Sequence, residues 1–406
     1  MSEPGSGPLA GMLVLDFSRA LAGPHAAMIM GDLGARVIKV EVPGRGDDSR
    51  GWGPPFIGRE NAAERVATYF LAANRNKESI ALDLKDAADR AVFEALLPKA
   101  DVLVESFRPG VLDRLGLAPE TLLAHHPRLV VLSITGFGHD GPDAHRPGYD
   151  QIAQGETGLM SLTGSGPDAP QRIGVPICDL TAGLNGATGV LAALLERTRT
   201  GRGQIVRTSL LAAGVSLHAF QGTRWTVGAE LGRASGNHHP TIAPYGLFAC
   251  KDGAVQIAVG SEALWRRLSD GFGLPGDDPR FDRNAHRVAH REELARLIEA
   301  AFTDRTKAEL LDELDRLGVP AGAVRTLDEV YAWDQVASQR LVVTVDHPAA
   351  GPITLPGPAV RFFDADGSER TRIHHTPPPG LDQDRPLVLA ECGGRGREDG
   401  PSGRPG

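Results

Sequence analysis

The first third of the chain alternates strand-like and helix-like runs, and this alternation constrains the fold more than any other feature. Met12 to Phe17 has the composition of a buried strand, Pro24 is a favoured first residue of a helix, and Gly34 is a helix stop before a second strand at 36–42. Further strands are predicted at 79–84, 102–105 and 130–135, with a helix at 87–97. Strands that alternate with helices predict a parallel, doubly wound α/β sheet.

The loop between the first strand and the first helix excludes one common use of such a sheet. Residues 18–23 read Ser-Arg-Ala-Leu-Ala-Gly and lack the G-x-G-x-x-G pattern that binds the pyrophosphate of a dinucleotide. The sequence therefore disfavours NAD binding.

Composition excludes several further classes of protein. A net charge of −8 argues against nucleic acid as a partner, and we expect no stretch apolar and long enough to span a membrane. Residues 1–11 resemble neither a signal peptide nor a transit peptide. Cys178, Cys250 and Cys392 are far apart, so we expect reduced thiols, with no metal site and no disulfide framework. These features predict a cytoplasmic protein.

The length of 406 residues favours two domains. We expect a large domain over 1–224, a small α/β domain over 225–330, a linker that returns to the large domain over 331–385, and a disordered tail over 386–406. A further strand of the large domain is predicted at 205–209. The small domain is expected to contain a hairpin turning at Asp252-Gly253 and helices near 262–272, 290–302 and 306–317, and short strands are expected within 340–365.

Asp179 is the most informative single residue. It follows the strand-like run 172–178 and precedes a helix from Leu180 to about Arg199 that is rich in small residues. A carboxylate between a strand and a helix lies where parallel sheets place their chemistry, and the helix N–H groups would keep it ionised. Asp179 is then a nucleophile toward an activated acyl group, or a helix N-cap, or both. The small residues of the helix predict close packing that excludes water.

A series of short motifs, in one order from about residue 9 to 380, resembles a known family. The motifs are 14–19 with 22–24, 31–35 leading to 37–41, 46–48, 74–80, 101–110, 133–138, 148–150, 158–164, and Asp179 with Gly183. The ordered set is similar to the family III CoA-transferases. Further runs at 47–56, 242–245 and 355–361 resemble a branch of the family that acts on dicarboxylic acids, which suggests a dicarboxylate donor or acceptor.

The resemblance implies a fold, an activity and an assembly. The fold would be a large Rossmann-like domain with a parallel sheet plus a smaller α/β domain, in an interlocked homodimer. The activity would be transfer of CoA from an acyl-CoA such as succinyl-CoA to a carboxylic acid. Asp179 matches the family's catalytic aspartate, which forms a mixed anhydride and then an aspartyl-CoA thioester. Coenzyme A would be a co-substrate, with no permanently bound cofactor and no metal.

The resemblance also implies which residues bind CoA. These candidates are Arg19, Ala20, Ala22, Leu71, Asn74, Asn76, Lys77, Ser106, Phe107, Arg108 and Arg114. Phosphates need cations or helix N-termini, although a lone Lys or Arg in a loop can equally be a solvated surface charge. Val42 stands where relatives often carry arginine, and Arg45 is the substitute we consider for it.

Three residues are candidates for substrate binding by the same resemblance: Tyr149, Asp150 and His239. Tyr149 stands where the racemase branch carries a histidine base, which makes proton exchange at an α-carbon hard to arrange, and it is either a substrate-lining or a half-buried structural aromatic. His239 lies in a loop whose Gly and Pro permit a mobile lid, and it either contacts the acceptor carboxylate or is simply exposed. Two alternative functions stay open: a 2-methylacyl-CoA racemase or epimerase, and a non-catalytic CoA-binding protein.

Overall fold

The computed structural model describes residues 7–58 and 65–393, which form two compact units. The first unit comprises Met1–Thr157, Gly174–Ala219 and Gln335–Gly406, and the second comprises Gly158–Ile173 and Phe220–Asp334.

Strands and helices are numbered along the whole chain. The strands are β1 (Leu13–Phe17), β2 (Arg36–Glu41), β3 (Phe56–Ile57), β4 (Val66–Ala67), β5 (Lys77–Ala81), β6 (Val102–Glu105), β7 (Val130–Thr135), β8 (Ile205–Ser209), β9 (Tyr245–Cys250), β10 (Gly253–Ala258), β11 (Ala321–Ala323), β12 (Val342–His347) and β13 (Gly351–Pro356). The α-helices are α1 (Ala22–Asp32), α2 (Thr68–Leu71), α3 (Ala87–Leu96), α4 (Val111–Arg114), α5 (Pro119–His125), α6 (Asp150–Glu156), α7 (Leu159–Leu162), α8 (Ile177–Thr200), α9 (Leu210–Ser216), α10 (Ala219–Thr226), α11 (Glu262–Phe272), α12 (Asn284–Ala289), α13 (Arg291–Phe302), α14 (Lys307–Arg316), α15 (Leu327–Tyr331), α16 (Asp334–Ser338) and α17 (Arg385–Glu391).

The core of the first unit is a six-stranded sheet in the order β5-β2-β1-β6-β7-β8. Every neighbouring pair of strands is parallel. The strands β6 and β7 are buried along their whole length, which explains why their sequences are mainly apolar and begin with three consecutive apolar residues rather than alternating ones. The predicted parallel, doubly wound α/β sheet is confirmed, and β6, β7 and β8 have the predicted bounds.

The chain reverses its direction of travel across this sheet once. It runs outward from β1 through β2 to β5, then returns to β6 beside β1 and runs outward through β7 to β8. The carboxyl ends of β1 and β6 therefore border the crevice that a doubly wound sheet leaves at its topological switch point, the usual ligand site of such folds. We call this place the switch-point crevice.

Helix α8 lies close to the sheet because its glycines leave room for neighbours. A Cβ atom added to Gly186 would lie 2.9 Å from Leu132 Cδ2, and one added to Gly189 would lie 2.6 Å from Val206 Cγ1. The close packing expected from the small residues is present.

The length and composition of α8 contradict one expectation. The helix has 24 residues and is long and apolar enough, by those two criteria alone, to cross a membrane, whereas no such stretch was expected. In this structure α8 packs against α1, α9, β7 and β8 as a core helix of the first unit. It meets the criteria because residues 180–195 carry no charged side chain.

The second unit is built on an antiparallel sheet of β11, β10 and β9 in that order. The hairpin of β9 and β10 pairs Cys250 with Gly253, as the Asp-Gly turn predicts. Trp265, Phe281 and Phe302 pack with the sheet in one buried apolar cluster. Helix α11 has the predicted bounds, and α14 begins with a capping box of Thr306 and Glu309.

The second unit extends over Phe220–Asp334, a few residues beyond the expected 225–330 at each end, and two further segments differ from the expected domain plan. Residues 158–173, expected in the large domain, belong to the second unit, where Ala234 N–H donates to Ser161 O at 3.0 Å and Gly236 N–H to Gly164 O at 2.9 Å.

The chain is also helical where the disordered tail was expected to begin. Arg385–Glu391 forms α17, because Val388 is fully buried in the core of the first unit and the Arg385 guanidinium binds Asp89 at 2.8 Å. The rest of the expected tail, 394–406, lies outside the described residues.

Candidate active site

Asp179 is the third residue of α8 and is partly buried. Two expectations about its surroundings are wrong. The run 172–176 is not a strand, and Asp179 is not the N-cap, because the helix begins at Ile177 after Pro176. Gly174 and Pro176 interrupt the apolar run and favour a turn over a strand. The carboxylate therefore projects from the first helical turn.

Asp150 supplies the capping interaction that we had considered for Asp179. Its Oδ1 atom accepts the backbone N–H of Cys178 at 2.8 Å and of Asp179 at 3.3 Å. Its Oδ2 atom accepts a hydrogen bond from Gln154 Nε2 at 2.6 Å. Because the first N–H groups of α8 already donate to Asp150, the helix terminus is neutralised by this second carboxylate.

The pKa of Asp179 is raised, which corrects the expectation that the helix terminus keeps it ionised. Burial, and then the negative charge of Asp150, raise its pKa to about 7. Asp179 is therefore close to half protonated at neutral pH.

Aromatic side chains stand beside this carboxylate pair. The Trp52 ring lies 5.1 Å from the Tyr69 ring and 6.4 Å from the Tyr149 ring, both in edge-to-face arrangements. Burial, with Asp179 and Asp150, raises the pKa of Tyr69 to about 12, so its hydroxyl stays protonated as a donor. Tyr149 is 63% exposed rather than half-buried. In the sequence, Trp52 stands out only as part of the family-like run 47–56, and no local pattern indicates Tyr69.

Cys178 adjoins Asp179 but is unsuited to nucleophilic chemistry. Burial and the two neighbouring carboxylates raise the pKa of its thiol to about 12. The thiol is therefore a poor candidate for a nucleophile at neutral pH.

The switch-point crevice brings together five of the CoA-binding candidates. Arg19 N–H donates to Ser106 Oγ at 3.0 Å, and the Arg19 guanidinium lies 5.4 Å from the Phe107 ring centroid. Ala20 has a left-handed φ of 66° and donates its N–H to Asp47 at 3.2 Å, while Arg108 is exposed. Loops after β1 and β6 thus present cations at one place.

Buried ion pairs stabilise the loop that follows β1. Lys39 Nζ lies 2.9 Å from Asp47, 3.6 Å from Asp16 and 3.1 Å from the carbonyl oxygen of Ser18. Lys77 Nζ donates to Asp16, Asn74 and the carbonyl oxygen of Pro24, each at 2.8 Å. Asn74 and Lys77 are thus buried with protein partners, and burial lowers the pKa of Lys77 to about 8.

Of the remaining candidates in the first unit, Ala22 borders the crevice with a buried side chain, and the others do not gather there. Leu71 is a buried core residue, and Ala22 is the buried first residue of α1. Asn76 stands at the start of β5, where its Nδ2 atom donates to Asp32 at 2.8 Å. Arg114 is exposed at the end of α4. Arg45, the substitute considered for Val42, is exposed and lies 3.8 Å from Asp48.

His239 belongs to the second unit. Its ring stacks on Phe220 at 5.2 Å and lies 5.1 Å from the Tyr245 ring. Its Nδ1 atom accepts the backbone N–H of Thr241 at 3.2 Å, which leaves Nε2 as the protonated nitrogen of the neutral ring. Burial, then Arg291 and Arg224, lower its pKa, so the neutral form prevails.

The sheet, its switch-point crevice and the carboxylate at the start of α8 define the class of protein: an α/β enzyme with a carboxylate centre and a phosphate-suited crevice. No group of three or more His, Cys, Asp or Glu side chains suited to a metal occurs within the described ranges. The model of CoA-transferase family III matches residues 9–385, and the chain belongs to this family. It is therefore a CoA-transferase, and CoA is a co-substrate.

Relatives and solved structures agree with this assignment. The chain is 39% identical to succinyl-CoA:glutarate CoA-transferase of Mus musculus, over 95% of this chain and 86% of the relative. It is 36% identical to succinate--glutarate CoA-transferase of Agrobacterium fabrum, over 95% of each. A crystal structure of a CAIB/BAIF family protein from Brucella suis is similar with a TM-score of 0.83 and 38% identity, covering 95% of this chain and 99% of that one.

Proposed function

We propose that this enzyme moves CoA from succinyl-CoA, or a similar acyl-CoA, to a dicarboxylic acid through covalent intermediates on Asp179. The observation that carries the proposal is the partly buried Asp179 carboxylate in the first turn of α8, unpaired by any cation among the described residues. The names of relatives support the substrate class, since they include transferases acting on glutarate and, in Haloarcula hispanica, mesaconate.

The proposed reaction proceeds by two exchanges of acyl groups. The ionised Asp179 oxygen attacks the donor thioester carbonyl, and the CoA thiolate leaves to give a mixed anhydride. The thiolate then attacks the aspartyl carbonyl, which forms the aspartyl-CoA thioester and releases the donor acid. The acceptor carboxylate attacks this thioester and expels the thiolate again. The thiolate finally attacks the acceptor carbonyl, which releases the new acyl-CoA and the free carboxylate.

Acyl activation is retained at each step, so the reaction needs no ATP but must exclude water. We infer that Trp52, Tyr69 and Tyr149 shield the intermediates on one side of Asp179. The protonated Tyr69 hydroxyl can donate to oxygen atoms that gain charge. Asp150 acts as a positioning residue, because it fixes the first turn of α8 and raises the pKa of the nucleophile.

CoA is proposed to lie in the switch-point crevice. Arg19 and Arg108 would contact its phosphates, while Ala20, Ser106 and Phe107 shape the crevice. Arg114, which is exposed at the end of α4, would reach a phosphate only from outside the crevice. Asn74 and Lys77 would act indirectly, since they hold Asp16 beneath the loop. We expect no direct phosphate contact from Leu71 or Asn76, whose side chains are buried.

His239 is proposed to contact the acceptor acid. Its ring is held between two aromatic rings and offers one fixed N–H donor, and Arg224 and Arg291 are the cations that act on it. A fixed donor near cations suits a carboxylate. His239→Gln should raise the KM for glutarate more than the KM for succinyl-CoA. His238→Gln is the matched control, and an equal effect of both variants would argue against this role.

The transfer assay tests the proposed function. Purified protein is incubated with succinyl-CoA and a panel of dicarboxylic acids, and new acyl-CoA is measured by chromatography. We expect transfer to at least one acid and none with Asp179→Ala. Exchange of the α-proton of a 2-methylacyl-CoA in deuterated water, without an acceptor acid, would instead indicate a racemase. CoA binding without turnover would indicate a binding protein.

We also propose that the protein is a homodimer, which we picture as interlocked. Several large apolar side chains are exposed in the second unit, including Val227 at 84%, Leu327 at 77% and Trp333 at 44%, as expected of a surface that another chain covers. Sedimentation of a stable monomer at micromolar concentration would refute this.

A cytoplasmic location remains our prediction. Cys178, Cys250 and Cys392 are free, which suits a reducing compartment. Cell fractionation tests it.

A further inference from the structure

A cavity of about 180 Å³ lies beside the hairpin of β12 and β13 in the first unit. Its lining includes Arg340, Arg361 and Arg372, and one acidic residue, Glu369. Within the described part of the chain, three cations therefore face one anion there. The lining carries a formal net charge of +2 with histidine counted as neutral.

Glu369 cannot neutralise this cluster. Its two oxygens accept from Arg361 Nε at 2.9 Å and Arg361 Nη2 at 2.7 Å, and the same carboxylate pairs with Arg340. One carboxylate is thus shared by two guanidinium groups, and Arg340 keeps 53% of its side chain exposed. Both arginines retain N–H donors for another acceptor.

Arg372 has no carboxylate partner among the described residues. Its Nη1 atom donates to the carbonyl oxygen of Gly31 at 2.7 Å, and its Nε atom donates to that of His374 at 2.8 Å. Burial lowers the pKa of Arg372, and the negative charge of Asp32 opposes this shift without cancelling it. A half-buried cation whose hydrogen bonds go to carbonyl oxygens is stabilised when an anion binds beside it.

The backbone of Arg340 gives independent support. Its φ is 52°, in the left-handed region, and its N–H donates to Ala337 O at 3.0 Å just after α16. Glycine is the usual residue at such a helix end, because a side chain there is strained. Strained positions of this kind cluster at binding sites, and Arg340 is part of the lining of this cavity.

We propose that this cavity binds a small dianion with oxygen acceptors, either inorganic phosphate or a short dicarboxylate such as succinate. Guanidinium groups bind both through paired N–H donors, and the Thr344 and Thr371 side chains also line the space. The site is distinct from the switch-point crevice. Arg372 is bound to Gly31 near the carboxyl end of α1, whereas the crevice adjoins the start of α1 at Ala22.

Calorimetric titration of the full-length protein tests the proposal. CoA is present at saturation so that the crevice is occupied, and phosphate or succinate is the titrant in separate arms. We expect at least one of the two anions to give a binding event that Arg340→Gln weakens, which separates it from a dicarboxylate bound beside Asp179, and the arm that responds identifies the anion. No heat in either arm would overturn the proposal.

Two variants with opposite expected effects distinguish a binding site from a structural cluster. Arg340→Gln removes a half-exposed cation and should weaken binding about tenfold, whereas Glu369→Gln removes the acid and should strengthen binding about tenfold. Arg370→Gln is the matched control, because Arg370 is 71% exposed and is not part of the lining. Loss of binding in both test variants, or equal affinity in all three, would contradict the proposal.

Discussion

Two pairs of carboxylates in the first unit differ in whether cations neutralise their negative charges. Asp16 and Asp47 are buried with Lys39 and Lys77, and every one of these four side chains is at most 4% exposed. Asp150 and Asp179 lie together at the start of α8, where Asp150 accepts from Gln154 Nε2 and from two backbone N–H groups, and no cation of the described residues pairs with either carboxylate. Lysines neutralise the charges of the first pair, whereas the second pair lacks such cations and includes the residue that we propose as the nucleophile.

The pKa values move in opposite directions as a result. Burial alone would raise the pKa of Asp16, but Lys39 and Lys77 outweigh it and lower that pKa to about 2. At Asp179 burial is reinforced by Asp150, and the pKa rises to about 7. The comparison teaches that burial does not by itself mark a reactive carboxylate in this protein. The absence of a compensating cation, within the described residues, separates the two cases.

The largest expected effect is on catalysis. Asp179→Asn keeps the shape of the side chain but removes the nucleophile, so transfer from succinyl-CoA should fall by about 10³-fold or more. Initial rates at saturating donor and acceptor measure this. If Asp179→Asn keeps more than a tenth of the parent transfer rate, Asp179 is not the nucleophile.

The second effect is on stability. Lys77→Met leaves Asp16 buried with one cation fewer, which should lower the free energy of unfolding by about 3–5 kcal/mol. Urea unfolding followed by circular dichroism measures it. Lys85→Met is the control, because Lys85 is exposed and should change stability by less than about 0.5 kcal/mol. Equal losses of stability in Lys77→Met and Lys85→Met would contradict a structural role for the ion pair of Lys77 and Asp16.

Removal of the reactive carboxylate should instead stabilise the fold. Asp179 is protonated in both states below its ordinary pKa of 3.8, and the unfolded chain ionises first as the pH rises. The folded state therefore loses stability up to a pH of about 7. Asp179→Asn should be about 1–2 kcal/mol more stable than the parent at pH 8 and equal to it at pH 3.5. Asp16 shows the reverse: its contribution is lost as the pH falls toward about 2.

The smallest effect sharpens the role of Asp150. Asp150→Asn keeps an oxygen that can cap α8 but removes the charge that raises the pKa of Asp179. The acid limb of the kcat/KM profile for succinyl-CoA, near pH 7 in the parent, should move to lower pH. A lower rate with an unmoved limb would make Asp150 purely structural.

Much of the fold could be predicted from local sequence. The strands β6 and β7 each begin with three consecutive apolar residues, and α11 follows a serine N-cap, so their bounds agree with prediction. The start of α8 is not predicted because the apolar residues around Gly174 and Pro176, namely Ile173, Val175 and Ile177, favour a strand over the turn that Gly and Pro indicate.

The errors at the site arise from contacts between residues far apart in sequence. Asp150 caps α8 from 28 residues before Cys178, and Lys77 pairs with Asp16 across 61 residues. A lysine in a polar run resembles a surface charge until its partner is known. No sequence motif singles out Tyr69, and it comes near Asp179 only when the chain folds. The position of Asp179, in contrast, carried both a local and a family signal.

Mass spectrometry of residue 179 tests the central claim most directly. The enzyme is mixed with succinyl-CoA, treated with borohydride during turnover and digested. An acylated Asp179 would be reduced to homoserine, and we expect this change at that residue alone and only when succinyl-CoA is present. An unmodified Asp179 in an enzyme that is turning over, together with full activity of Asp179→Asn, would contradict the account.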